Sequence, residues 1–140
     1  MASPKTSLLT TDCVVFDREG RILLIRRKNE PFRGAFALPG GFVDIGETVE
    51  AACRREVLEE TGITIGALRL VGVYSDPGRD PRGHTVSIAY MARVPPATRP
   101  RAGSDAEDAQ WLGDWHNLDL AFDHAQIIAD AERMGLRSRA

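Results

Sequence analysis

Apolar residues gather in short runs over the first part of the chain and at helical spacing further on. Leu8 to Phe16 is rich in Leu, Thr and Val and reads as a strand. Asp17-Arg18-Glu19-Gly20 is a turn, and Arg21 to Arg27, with Ile22-Leu23-Leu24-Ile25, returns as a second strand of a hairpin. Lys28 to Arg33 is polar, contains Pro31 and reads as a loop. Ala35 to Leu38 forms a short strand that stops at Pro39-Gly40-Gly41, where the glycines offer backbone freedom. Thr48 is placed to cap a helix and Gly62 to end it, which predicts a helix over Val49 to Thr61. Ile63 to Ser75 has strand character broken by Gly66, and Asp76 to Gly83, with two prolines and two glycines, is a loop. Thr85 to Val94 is a strand, Pro95 to Gly103 a polar connection, and Ala109 to Leu112 a short strand. Phe122 to Met134 carries Ile127, Ile128, Ala131 and Met134 at helical spacing. Strands, helix, strands, helix in this order give an α+β fold, an α/β/α sandwich around a mixed sheet.

Length and charge narrow the function. With 140 residues the chain is read as a single domain over 1–140. Charged residues make up 27% and the formal net charge is -2, without the basic excess that nucleic-acid or membrane surfaces require. A small-molecule substrate is expected instead. The N-terminus lacks the apolar stretch of a signal peptide and no run reaches membrane-spanning length, so a cytoplasmic location is expected. Cys13 and Cys53 belong to no metal-binding cluster and read as small buried residues.

The helix over Val49 to Thr61 carries an unfavourable charge pattern. At about 100° per residue from Val49, the apolar Ala52, Val49, Cys53 and Val57 fall at roughly 300°, 0°, 40° and 80°. Glu59, Glu56 and Glu60 fall at roughly 280°, 340° and 20° on the same wheel, interleaved with the apolar stripe. Three like charges thus share one patch, and two of them sit in the last turn, where the helix dipole disfavours them. Arg55 lies to one side and is expected to neutralise one carboxylate. A hard divalent cation supplies the remainder, and an all-oxygen donor set without His or Cys favours Mg²⁺ or Mn²⁺ over Zn²⁺. Such a cation activates water and neutralises phosphate oxygens, which suits hydrolysis of a phosphoanhydride.

The spacing Gly41-(five residues)-Glu47-(seven residues)-Arg55-Glu56-Val57-Leu58-Glu59-Glu60-Thr61-Gly62-Ile63 resembles the Nudix box at every defined position. The resemblance implies a Nudix-type α/β/α sandwich over essentially the whole chain. It implies that Glu56, Glu59 and Glu60 are metal ligands and that the Gly40 carbonyl adds another. Arg55 then orients a carboxylate by a charge-assisted hydrogen bond, and Glu47 serves as structural support or outer-shell contact. Gly41 supplies backbone freedom at the loop. Catalysis is assigned to Glu56, Arg55 and Glu59, with Glu56 preferred as general base over Asp105, Glu107 and Asp108.

Nudix enzymes share a nucleoside diphosphate linked to a variable group. Tyr74 to His84, holding Asp80-Pro81-Arg82-Gly83, resembles the corresponding loop of a group of ADP-ribose pyrophosphatases, as do Pro31-Phe32-Arg33-Gly34 and Leu120-Ala121-Phe122-Asp123-His124. ADP-ribose is therefore the expected substrate, cleaved to AMP and ribose 5-phosphate. Its diphosphate wants guanidinium forks and its adenine an aromatic face. Arg79 and Arg82 on the loop, one of Arg26 and Arg27 on their strand, and Phe32 are the candidates. His84 and His124 read as hydrogen-bonded structural residues. The alternatives are another Nudix substrate, such as an oxidised nucleoside triphosphate or a dinucleoside polyphosphate, and a non-catalytic ADP-ribose-sensing module. The last is disfavoured because the chain length leaves no room for an attached DNA-binding domain. A homodimer is expected from the resemblance alone.

Overall fold

A computed structural model describes residues 5–95, 99–103 and 106–137. Seven strands and two helices follow one another as β1 (Leu8–Phe16), β2 (Ile22–Arg27), β3 (Phe36–Ala37), β4 (Gly40–Phe42), α1 (Val49–Thr61), β5 (Arg69–Tyr74), β6 (Thr85–Arg93), β7 (Ala106–Leu112) and α2 (His124–Arg137). The strands form one sheet in the order β3-β2-β1-β6-β5, with β4 paired to β1 and β7 paired to β2. β1 runs parallel to β6 along its whole length, from Leu8↔Thr85 to Phe16↔Arg93, and every other pairing between the named strands is antiparallel. The sheet is mixed, as expected.

Side-chain alternation along β1 and β2 explains why these strands read as unbroken apolar runs. Val14, Phe16, Ile22 and Leu24 pack with Ile127, Ile128 and Ala131 of α2. Cys13, Val15 and Leu23 point to the other face and pack with Cys53 and Val57 of α1. Both faces of the central strands are therefore buried, and a strand covered on both faces loses its polar alternation. The two helices cover opposite faces, which makes the α/β/α sandwich. Cys13 and Cys53 are free buried thiols in the α1 layer.

Several boundaries differ from those read in the sequence, each for a local reason. The hairpin of β1 and β2 is paired at Phe16↔Ile22, but most of β2 pairs instead with β7. β7 starts at Ala106 because its polar beginning lies opposite Arg26 and Arg27. The segment Ile63 to Ser75 is strand only from Arg69; Ile63 and Ile65 are buried against α1 without entering the sheet. α2 begins at His124, because Phe122 holds a left-handed φ of 52° that no helix accepts. Most relevant to function, Gly40 and Gly41 do not end the chain's extended structure: with Phe42 they form β4, paired to Asp12, Thr11 and Thr10.

Helix α1 has the expected bounds. The Thr48 side chain accepts from the Ala51 N–H at 3.1 Å, and Gly62, at φ 73°, returns its N–H to the Leu58 carbonyl at 2.9 Å. Two further carbonyls of the last turn are satisfied from outside the helix. The N–H of Arg101 donates to Thr61 and that of Gly103 to Glu60. A Cβ on Gly103 would lie 2.3 Å from the Glu59 carbonyl oxygen, so only glycine allows this approach.

Candidate active site

β4 and α1 present their polar groups to a cleft of about 410 Å³, lined by Glu56, Glu60, Gly40, Gly41, Asp12, Arg27 and Arg82 among others. The strand β4 runs past the carboxylates so closely that side chains are excluded. A Cβ on Gly41 would sit 2.6 Å from the Glu56 carboxyl carbon, and one on Gly40 would sit 2.2 Å from the Thr11 carbonyl oxygen. Neither glycine has a positive φ. The expected backbone freedom is thus not why glycine stands here; Gly41 keeps space open over Glu56.

The three helix carboxylates divide into different environments. Glu60 is buried, and its Oε2 has no hydrogen-bond partner. Glu56 is partly covered, with 15% of its side chain exposed, whereas Glu59 is 46% exposed. Burial together with the neighbouring Glu56 pushes the Glu60 carboxyl up to about 9, against an opposing hydrogen bond from the Gly40 backbone. Burial also raises Glu56, while its hydrogen bonds with Glu60 and Arg55 oppose the rise. Burial and the neighbouring Glu56 thus favour the protonated form of Glu60, while Arg55 favours the charged form of Glu56.

Arg55 reaches further than its place on the wheel suggested. It does not neutralise a single carboxylate: its Nε and Nη2 grip Glu47 at 3.0 and 2.6 Å, and its Nη1 reaches Glu56 at 2.8 Å and Glu59 at 3.2 Å. Its Nη2 also donates to the Phe42 carbonyl at 3.1 Å. Five donors in one planar fork allow this. Glu47 accepts in addition from the Asp44 N–H at 2.8 Å, and Arg55 and that bond hold its carboxyl down at about 2. Glu47 therefore anchors the guanidinium, and the guanidinium positions Glu56.

Glu59 is the departure from the expected cluster. It is turned toward Arg55, and among the described residues no three His, Cys, Asp or Glu side chains converge as a ready metal site. A divalent cation nonetheless fits what is present. The buried Glu56–Glu60 pair costs electrostatic energy, and the orphaned Oε2 of Glu60 lacks the positive partner that a hard cation provides.

The floor of the cleft holds groups that the sequence alone did not single out. Asp12 of β1 is buried, accepts from the Ser87 hydroxyl at 2.6 Å, and lies 3.4 Å from His124 Nε2 and 3.8 Å from Arg79. Burial acts to raise its carboxyl, but His124, Ser87 and Arg79 outweigh this and hold it low. His124 Nδ1 accepts from the Leu38 N–H at 3.0 Å, which leaves an Nε2 proton facing Asp12. His124 ties the start of α2 to the segment before β4 and also lines the cleft. Only the lack of polar–apolar alternation around Asp12 could have marked that residue in advance.

The predicted substrate residues separate clearly. Arg79 is almost fully buried, and its fork is engaged by Asp123 (2.9 and 2.6 Å) and Thr85 (3.0 Å). It fastens the loop to the residue just before α2, and each of its guanidinium nitrogens is engaged. Arg82 likewise binds Asp80 through Nε and Nη2, at 3.1 and 2.8 Å. Of the β2 pair, Arg27 lines the cleft while Arg26 lies on the Phe36 ring at 4.6 Å, as strand alternation requires. Phe32 does not line the cleft; at φ 61° it packs edge-on against Phe122, ring centroids 4.9 Å apart. The aromatic rings that do line the cleft are Phe42 and Phe122. His84 bonds the Ser75 carbonyl at 2.9 Å. Asp105 lies outside the described residues, as does the side chain of Glu107, and Asp108 is bonded to Gln110 at 2.9 Å.

Comparison with known proteins agrees with this geometry. Residues 6–134 match the NUDIX domain model. An ADP-ribose pyrophosphatase of Methanocaldococcus jannaschii is 52% identical over 120 residues, covering 85% of this chain and 70% of that protein. An ADPR responsive transcriptional repressor, NtrR, of Acinetobacter baylyi is 36% identical over 131 residues, covering 89% of this chain but 52% of that one. The NUDIX domain of Shewanella oneidensis NrtR, crystallised with ADP ribose, superposes with a TM-score of 0.87 at 31% identity, covering 93% of this chain and 89% of that one. Gly41, Glu47, Arg55, Glu56, Glu60 and Gly62 thus stand where one strand, one loop and one helix meet, and the chain belongs to the NUDIX domain family.

Proposed function

We propose that the protein hydrolyses ADP-ribose to AMP and ribose 5-phosphate, with a divalent cation, Mg²⁺ or Mn²⁺, as cofactor. The observation that carries the reading is the buried Glu56–Glu60 pair at the cleft, together with 52% identity to an ADP-ribose pyrophosphatase. Glu56 and Glu60 would hold the cation, with Glu59 as a further ligand once released from Arg55 and the Gly40 carbonyl beside them. When bound, it would neutralise diphosphate oxygens and lower the pKa of water. Glu56, oriented by Arg55 and through it by Glu47, takes the proton of the attacking water. The water oxygen ends on one phosphorus and the anhydride oxygen leaves with the other. Arg27 and Lys28, which also line the cleft, supply positive charge for the phosphates.

A sensing module that binds ADP-ribose without turnover is the second reading, favoured by the likeness to the repressor NtrR. The acidic pair argues for catalysis, because a buried carboxyl at Glu60 beside a partly covered Glu56 opposes binding of a polyanion and is costly unless a cation works there. Product analysis across ADP-ribose, an oxidised nucleoside triphosphate and a dinucleoside polyphosphate, each with Mg²⁺ and with Mn²⁺, tests the proposal. AMP and ribose 5-phosphate as the fastest-formed products support it. Faster cleavage of a triphosphate, or tight binding of ADP-ribose without products, overturns it. A homodimer and a cytoplasmic location remain part of the proposal; no described helix is long and apolar enough to cross a membrane.

A further inference from the structure

Asp12 of β1 and His124 of α2 are buried side by side at the floor of the cleft, and each polar atom of the two side chains faces a neighbour. Asp12 Oδ2 accepts from the Ser87 hydroxyl at 2.6 Å, and its Oδ1 lies 3.4 Å from His124 Nε2. The other ring nitrogen accepts from the Leu38 N–H at 3.0 Å, across 86 positions of sequence. Leu38 lies between β3, which ends at Ala37, and β4, which begins at Gly40. Its N–H therefore belongs to neither strand, and in a buried segment such a donor is costly to leave unpaired.

Asp12 holds the next part of the same segment. It stands opposite Gly40 in the β1–β4 pairing, and a Cβ on Gly40 would lie 2.5 Å from Asp12 Oδ1. The Gly40 backbone is bonded on its other side to Glu60, and a Cβ on Gly41 would meet Glu56. Gly40 is thus enclosed between the Asp12 carboxyl and the Glu60 carboxyl. The ring is itself held in place from α2: Asp123, the residue before His124, takes the Arg79 fork, which lies 3.8 Å from Asp12. A small shift of Leu38 or Asp12 would carry β4 away from the carboxylates, because only glycine backbone separates the two sets of groups.

We infer that His124 is a positioning residue for the carboxylate site, fixing β4 through Leu38 on Nδ1 and Asp12 on Nε2 so that Gly40 meets Glu60 and Gly41 meets Glu56. The ring acts through the strand and not on a reacting atom. Helix α2, on the face of the sheet opposite α1, is then part of the frame of the active site. Residues that orient metal-ligating groups from behind commonly change metal affinity or turnover by about 10- to 100-fold. The cation rests on the reading given above, whereas the placement of β4 does not.

Three variants test the inference. His124→Leu removes both ring contacts. His124→Asn sets an amide oxygen near the place of Nδ1 and keeps an acceptor for the Leu38 N–H. Ile128→Val trims a buried side chain of the same helix and controls for lost stability. In chelator, hydrogen exchange of the Gly40 amide, read by NMR, should quicken about 10-fold or more in His124→Leu relative to Ile128→Val, with Asn close to the wild type. Mn²⁺ titrated by calorimetry without substrate should bind about 10- to 100-fold more weakly to His124→Leu alone. With ADP-ribose at saturating Mn²⁺, kcat should fall in that variant while KM stays within about twofold. If His124→Leu does not fold, His124→Gln replaces it: its longer amide reaches toward Asp12 but not back to Leu38, and it should fall below Asn in each measurement. Unchanged Gly40 exchange, Asn no better than Leu or Gln, or a raised KM at unchanged kcat, which would mark the ring as a substrate contact, would each overturn the inference. Selective loosening of Gly40 in a protein that binds no Mn²⁺ would uphold the placement of β4 and reject the cation.

Discussion

Replacing Glu60 by Gln should make the metal-free protein more stable at neutral pH while abolishing its activity. Glu60 is 6% exposed, and its carboxyl is raised from 4.5 to about 9 in the folded chain. A group raised on folding contributes its full stability below the unfolded value and loses it as pH rises toward the folded one. Between pH 4.5 and 9 the unfolded chain is ionised at this position while the folded chain keeps its proton, so stability falls by about 1.4 kcal/mol per pH unit. At pH 7 the accumulated cost is about 3 kcal/mol. The amide of Gln does not titrate and can still accept from the Gly40 N–H. Urea unfolding in chelator should then find the variant and the wild type alike near pH 4.5, with the variant's advantage growing toward pH 8. Saturating Mg²⁺ should narrow or reverse the order, because only the wild type gains binding energy from the cation. Glu59→Gln should show no such advantage, since Glu59 is half exposed and paired with Arg55. Parallel stability curves against pH, or a variant weaker at every pH, would refute the reasoning.

Gly41→Ala brings a Cβ to 2.6 Å from the Glu56 carboxyl carbon, the far end of a side chain that can swing away. It should lower turnover on the order of 10²-fold with about 1 kcal/mol or less of stability lost, and steady-state kinetics beside a thermal melt will check both. Arg79→Ala strips Asp123 of its bidentate partner and leaves Asp12 without its nearest guanidinium; urea unfolding should register a loss of about 3 kcal/mol, and a loss below the error of the method would contradict the fastening role. Arg55→Ala should return the Glu47 carboxyl from about 2 toward 4.5, read by NMR titration of its side-chain carbon. The acid stability that Glu47 contributes above pH 4.5, and loses as pH falls toward 2, should shrink in the same variant to what the Asp44 N–H bond supplies.

What the sequence disclosed and what it concealed follow from the range of the interactions involved. Helix α1 was legible to the residue because its limits are local: a hydroxyl at Thr48 and a left-handed glycine at 62 act within one turn. The central strands were legible as strands, but their partners were not, since nothing in Ile22 to Arg27 says that β7 lies beside them instead of more of β1. The wheel located the carboxylates on the inward side of α1, yet it treated Arg55 as a point at one angle. A guanidinium on a long stem reaches along one helical turn and across the preceding loop, so Arg55 engages Glu47, Glu56 and Glu59 together and draws Glu59 out of the cluster. The same blindness to reach hid the acids that engage Arg79 and Arg82: both line the cleft, with Asp123 and Asp80 bound to their forks. Counting basic residues on a loop therefore overstates the positive charge a site can offer; only those whose acidic neighbours point elsewhere contribute. Arg27 and Lys28 line the same cleft as Glu56 and Glu60, so its positive charge is drawn from the end of β2 as well as from the loop.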